Sequence, residues 1–146
     1  MSCDSELQLD VLRGDSLSFW IFPEEPNGDP MDLDGFTAAG AIQDEDNIDS
    51  ETTLLVTLTG AITAPPLTGT AATRATEAGL SAAELLTFYA VQFTAAASLT
   101  DKTVTAIDTA VTTSPPIQPY WQGRATNGAT KKPLGRGPVV FKNDLI

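Results

Sequence analysis

The chain has 146 residues, a net charge of −11, one cysteine and no histidine. Without histidine it cannot form a Ser-His-Asp or Cys-His nucleophilic site or a tetrahedral Cys/His zinc site, and one cysteine cannot form an internal disulfide. Its hydrophobic fraction of 42% and its length predict about one folded domain. Any enzymatic chemistry would therefore depend on carboxylates or lysines.

The charge is unevenly distributed along the chain. Residues 1–60 carry fourteen acidic side chains and one basic one, whereas residues 121–146 carry five basic side chains and one acidic one. The acidic body predicts no nucleic-acid partner, because its net field repels phosphates. The basic C-terminal segment favours either docking onto an acidic surface, such as that of a neighbouring copy, or folding back onto its own domain.

Alternation of apolar and polar residues predicts a mostly β protein. The runs with a strand-like pattern, in chain order, are residues 7–11, 16–22, 36–43, 52–60, 87–95, 102–113 and 138–142. The second run places aromatic side chains on both of its faces. A loop dense in turn residues follows it at 23–30, and a capping box formed by Ser81 and Glu84 predicts one short helical turn.

Seven or eight short strands separated by turn signals predict an all-β protein with a single β-sandwich. The sandwich body is assigned to residues 1–117, and residues 118–146 are assigned to a basic C-terminal arm that ends in a closing strand. The alternation also predicts which side chains face the core. These are Leu17, Phe19, Ile21, Phe36, Ile42, Leu54, Val56, Leu58, Val91 and Phe93.

Residues 118–137 are rich in Gly, Pro, Asn and Lys. We interpret them as an extended arm, because about twenty such residues are long for a loop inside a compact domain. The arm contains residue types that are enriched at interface hot spots. Its predicted partner-binding residues are Tyr120, Trp121, Arg124, Lys131, Lys132 and Arg136. For Trp121 alone, insertion into its own core is the competing interpretation.

No pattern in the sequence predicts a catalytic residue, a cofactor or a metal. The acidic run at 44–51 departs from an EF-hand at Asp49 and Leu55, where that loop needs glycine and glutamate, so a solvated hairpin loop is favoured over a cation site. The Arg-Gly-Asp tripeptide at 13–15 is interpreted as a turn rather than an adhesion motif. The N-terminal residues lack the apolar core of a signal peptide, and no apolar run reaches membrane-spanning length.

Two motifs in the first third of the chain resemble a known family. They are residues 12–19, Leu-Arg-Gly-Asp-Ser-Leu-Ser-Phe, and residues 28–37, Gly-Asp-Pro-Met-Asp-Leu-Asp-Gly-Phe-Thr, followed by Ala41 and Ile42. They resemble the N-terminal immunoglobulin-like domain of phage upper-baseplate proteins and related small virion proteins. The resemblance implies an immunoglobulin-like sandwich with a virion structural role. The family's later glycine-aromatic turn is missing at 85–89, and its coiled-coil and receptor-facing extension is absent.

Together these observations predict a non-enzymatic phage virion protein, assembled in the host cytoplasm, that acts as an adaptor in the tail, neck or baseplate. Its expected partners are other phage structural proteins and copies of itself, with neither nucleic acid nor membrane among them. A capsid decoration protein is the first alternative and a carboxylate-dependent glycan hydrolase is the second. A bacterial surface adhesion module is disfavoured, because we expect no secretion signal.

Overall fold

The computed structural model describes residues 7–12, 14–43, 54–97 and 119–142. Within these ranges the chain is mostly β, which confirms the predicted class. The elements in chain order are β1 (Leu9–Leu12), β2 (Leu17–Ile21), β3 (Thr37–Gln43), β4 (Leu54–Thr63), α1 (Gly69–Glu77), a 3-10 turn (Glu84–Leu86), β5 (Ala90–Ala95), β6 (Tyr120–Asn127) and β7 (Thr130–Lys142). The predicted strand at 102–113, the acidic run at 44–51, Cys3 and Arg13 lie outside the described residues.

The seven described strands form one hydrogen-bonded sheet in the order β1-β7-β6-β3-β4-β5-β2. All neighbours are antiparallel except β1 and β7, which run parallel. The Asp15 amide, just before β2, donates to the carbonyl of Leu12 at the end of β1 at 3.1 Å, yet β1 and β2 lie at opposite ends of this order. The sheet therefore curls until its two ends approach each other and is nearly barrel-shaped.

The inner face of the curled sheet holds the main core. The predicted core residues Ile42, Val56, Leu58, Val91 and Phe93 are buried, and Leu17, Phe19, Ile21 and Phe36 are partly buried against them. The side chain of Leu54 lies outside the described set. The ring centroids of Phe19 on β2 and Trp121 on β6 are 5.0 Å apart, so an aromatic contact joins the β2 end of the sheet to β6 across the core.

Helix α1 packs on the outer face of β2 and β5 and was missed by the sequence analysis. Its Ala71 and Ala75, four residues apart on one helical face, are buried together with Leu67 and Ala90. Residues packed against this second cluster are Trp20, Phe22, Ala72, Leu80 and Leu85. The helix explains why β2 carries aromatic side chains on both faces. It escaped prediction because its sequence, GTAATRATE, contains three threonines, which favour strands.

The C-terminal end of α1 is stabilised by a glycine cap. Gly79 has a φ of +100°, in the left-handed region that glycine adopts without a steric penalty. Its amide donates to the Thr76 carbonyl and the Leu80 amide donates to the Ala75 carbonyl, each at 3.0 Å. This pattern is a Schellman motif, and it directs the half-buried Leu80 back onto the second cluster.

The predicted capping box is confirmed, because both of its reciprocal hydrogen bonds are present. The Ser81 amide donates to Glu84 Oε1 at 2.8 Å, and the Glu84 amide donates to Ser81 Oγ at 3.2 Å. We expect Ser81→Ala to lower the free energy of unfolding by about 1 kcal/mol in urea titrations. Thr68→Ala is the matched control, because Thr68 is the N-cap of α1 but its side chain makes no capping hydrogen bond. Equal losses in both variants would contradict this account.

The interpretation of residues 118–137 as an extended arm is wrong. β6 lies inside the sheet, paired with β3 on one side and β7 on the other. Buried and half-buried residues alternate along β6, with Trp121, Gly123 and Ala125 facing the core. The glycines that suggested a loop are needed for packing instead, since the ring of Phe93 lies against Gly123 and that of Trp121 against Gly135.

Candidate partner-binding cleft

A concave feature of the described residues lies where the curled sheet is not closed by hydrogen bonds. Over the described residues, β2 pairs only with β5, and β7 pairs only with β6 until it reaches Val139, where β1 joins it. The unpaired edges of β2 and β7 border a cleft of about 870 Å³. A volume of this size is within the usual range for ligand sites, so we treat the cleft as the candidate functional site.

The cleft combines an apolar interior with charged walls. Apolar lining residues include Trp20, Ile21, Phe22, Met31, Trp121 and Leu134. One wall is the loop after β2, which contributes Glu24 and Glu25, and the other is the β6–β7 hairpin, which contributes Arg124, Lys131, Lys132 and Arg136. The fold therefore brings together all four basic side chains that the sequence analysis assigned to partner binding.

Lys132 connects the two walls. Its Nζ lies 3.8 Å from Glu25 Oε1 and donates a 3.0 Å hydrogen bond to the carbonyl oxygen of Asp32. The same Nζ lies 5.0 Å from the ring centroid of Phe36. An ion pair this exposed contributes at most about 1 kcal/mol. The three contacts together nevertheless position the loop between β2 and β3 against the hairpin.

The loop also carries a carboxylate with a perturbed pKa. The Asp34 amide donates to Asp32 Oδ1 at 3.0 Å, and the Tyr89 hydroxyl donates to the same oxygen at 3.2 Å. The pKa of Asp32 is lowered chiefly by the Asp34 amide, then by the Tyr89 hydroxyl, with a smaller effect of the Lys132 charge. The pKa of Tyr89 is raised by desolvation and by its bond to the Asp32 carboxylate.

These shifts predict how stability depends on pH. Because the folded-state pKa of Asp32 is depressed, its contribution is present above the unfolded pKa of ~3.9 and is lost as pH falls through the lower folded value. We expect the difference in unfolding free energy between the native protein and Asp32→Asn to shrink over this range, measured by urea titration at each pH. Tyr89→Phe removes the hydroxyl that donates to Asp32, so it should make the unfolding free energy less dependent on pH over the same range. If the difference between the native protein and Asp32→Asn stays constant down to about pH 2, this would contradict a lowered pKa for Asp32.

The remaining predicted site residues have different surroundings. Tyr120 is half-buried, and the Arg136 guanidinium carbon lies 5.6 Å from its ring centroid. Trp121 is only 1% exposed, and its indole Nε1 donates to the Leu7 carbonyl at 2.7 Å. Its side chain is thus part of the protein's own core, the competing interpretation, and its assignment as a surface anchor is corrected. Lys131 is exposed and Arg124 half-buried.

The wall opposite the hairpin was not predicted from the sequence. Glu24 and Glu25 appeared only as members of the turn-rich loop at 23–30, and Met31 only within the motif at 28–37. No local signal linked these residues to the hairpin. The hydrogen bond from Lys132 to Asp32, for example, joins residues 100 positions apart. Within the described ranges, no cluster of three or more potential metal-ligating side chains occurs. None of the helices there is long and apolar enough to span a bilayer.

Comparison with known proteins gives no family assignment. No protein-family model matches the chain, and a search of curated proteins finds no match.

Proposed function

We propose that this protein is a non-enzymatic structural component of a phage virion, a small adaptor built into the tail, neck or baseplate on an immunoglobulin-like sandwich. The observation that carries the proposal is the pairing of the strands. In the immunoglobulin fold, strands lettered A to G form the sheets ABED and CFG. With the seven described strands, β1 to β7, taken as A to G, four neighbour pairs of that fold occur here. They are β2–β5, β5–β4, β3–β6 and β6–β7.

Two departures from that pattern account for the single continuous sheet. β3 and β4 also pair with each other, which connects the two halves β2-β5-β4 and β3-β6-β7. β1 pairs with β7 rather than with β2, so it lies at the end of the second half. The inner faces of the two halves still pack together through Phe19, Phe93 and Trp121. These contacts support a sandwich with a joined edge.

The motif that resembles the phage proteins builds the loop beside the cleft. Gly28 has a φ of +93° in a tight turn where its amide donates to the Glu25 carbonyl at 2.8 Å. Asp32 then accepts the Asp34 amide and closes the next turn before Phe36 packs against the core. Residues of the second motif, at 28–37, thus act together in one loop, which supports the shared fold and, with it, the proposed virion role.

The distribution of charge in the cleft favours binding over glycan hydrolysis. A glycosidase places two carboxyl groups on either side of the scissile bond. Here the acidic residues among those lining the cleft, Glu24 and Glu25, are adjacent in the chain and lie on one wall, while the opposite wall is basic. An acidic body with a basic docking surface suits association with other structural proteins.

Quantitative mass spectrometry of purified phage particles tests this proposal. We expect the protein in the particles, at a low copy number set by the symmetry of the tail. A copy number close to that of the major capsid protein would instead indicate capsid decoration. Absence from particles would contradict both roles. Release of reducing ends from host polysaccharide, abolished by Glu24→Gln with Glu25→Gln, would support the hydrolase alternative.

A further inference from the structure

We propose that the cleft between β2 and β7 is the docking site for an extended, acidic segment of a neighbouring protein. This inference rests on the proposed binding function and names the chemistry of the partner. Three features carry it: the run of consecutive β7 residues that lines the cleft, the predominance of basic residues on its walls, and the backbone of Leu7, which also lines it.

The strand edge along the cleft favours an extended occupant. All residues of β7 from Lys131 to Arg136 line it, and these five residue steps span about 17 Å. At one end Leu7 lines the cleft, and its carbonyl accepts the hydrogen bond from the Trp121 indole. An extended backbone is therefore accommodated there already. Pro133 and the two adjacent lysines make β7 a poor edge for general strand pairing, so side-chain contacts should dominate.

The lining chemistry favours an acidic occupant with regularly spaced apolar residues. Four basic side chains line the cleft against two acidic ones, and Lys132 already contacts Glu25. The interior contains Trp, Phe and Met, which are enriched at the cores of protein interfaces. Successive side chains of an extended segment point in opposite directions. Alternating apolar and acidic residues would thus place apolar groups towards the interior and carboxylates at the basic wall.

The native chain carries its own reporter for this site. Its two tryptophans, Trp20 and Trp121, both line the cleft, so all intrinsic tryptophan fluorescence arises there. The probe is a blocked synthetic peptide of about eight residues that alternates glutamate and valine. We expect a saturable change in emission, matched by calorimetry, that weakens between about 50 and 500 mM salt. The same peptide with lysine in place of glutamate should not bind.

Variants of the basic wall locate the binding. Lys131→Glu with Arg136→Glu should weaken the acidic peptide about tenfold. Lys142→Glu is the matched control, because Lys142 lies on the same strand outside the cleft, where its Nζ is 3.5 Å from an Asp10 oxygen. It should bind the peptide with native affinity. If the double variant does not fold, Lys131→Gln alone should weaken binding about two- to threefold.

Several results would overturn the inference. They are an acidic peptide that does not bind, a lysine peptide that binds equally well, or a control variant that weakens binding as much as the wall variant. A dimer in sedimentation velocity that the acidic peptide dissociates would identify a second copy as the occupant instead. Because the assay uses no phage particles, its failure is distinguishable from absence of the protein from virions, which bears on the proposed function alone.

Discussion

Replacing Trp121 by alanine is expected to lower the free energy of unfolding by about 3–5 kcal/mol. The side chain is 1% exposed, and its ring centroid lies 5.0 Å from that of Phe19 and 6.3 Å from that of Phe93. The substitution would leave a large cavity and remove the hydrogen bond to the Leu7 carbonyl. Urea unfolding followed by far-UV circular dichroism measures the loss, since the fluorescence signal changes with the tryptophan.

The control for this prediction is Leu86→Ala. Leu86 is 64% exposed, so its truncation should change stability by less than about 0.5 kcal/mol. Trp121→Phe should fall between the two variants, because it retains part of the ring packing but loses the indole donor. A Trp121→Ala variant as stable as the native protein would contradict the burial of this side chain in the core.

Adding a methyl group at Gly123 is expected to destabilise the protein by about 1–3 kcal/mol. A Cβ there would lie 2.6 Å from Cζ of Phe93, closer than real Cβ contacts allow. Because the obstacle is a ring rather than backbone, it can be removed by mutation. We expect Gly123→Ala to cost much less in a Phe93→Leu background, with a coupling free energy of about 1 kcal/mol or more in a double-mutant cycle.

Gly60 provides the matched control for the cycle. A Cβ at Gly60 would lie 2.7 Å from the carbonyl oxygen of Ala38, so its obstacle includes backbone that Phe93→Leu does not move. Gly60→Ala should be destabilising in both backgrounds, and its coupling to Phe93→Leu should be smaller than that of Gly123→Ala, because Gly60 is paired with Phe93 across β4 and β5 but its backbone obstacle stays in place. Strong coupling of Gly60→Ala to Phe93→Leu, or additive effects of Gly123→Ala, would contradict the packing described for these strands.

Local patterns in the sequence predicted local structure well. Alternation identified the described strands β1 to β5, and it correctly assigned Val91 and Phe93 to the core. Gln92, between them, lies on the other face of β5, where its Nε2 donates to Ser18 Oγ at 2.9 Å. The capping box was also predicted correctly because it is local. Ser81 and Glu84 are three residues apart, and their two hydrogen bonds join only each other.

The hairpin and helix α1 were not predicted because tertiary packing overrides their local signals. Gly123 and Gly135 are residues typical of loops. Here each stands where an aromatic ring leaves no room for a larger residue. The threonine-rich sequence of α1 forms a helix because Ala71 and Ala75 pack closely on the sheet. Prediction of the cleft would also have required the strand order, because its walls come from distant parts of the chain that meet only when the sheet curls.

A cryo-EM reconstruction of phage particles tests the central claim of a virion binding module most directly. We expect density for this domain in the tail, neck or baseplate, with the β6–β7 hairpin and its basic residues against a neighbouring protein. The same hairpin facing solvent in an incorporated copy would contradict the proposed binding surface. Particles with no density for the domain at any position would contradict the virion role itself.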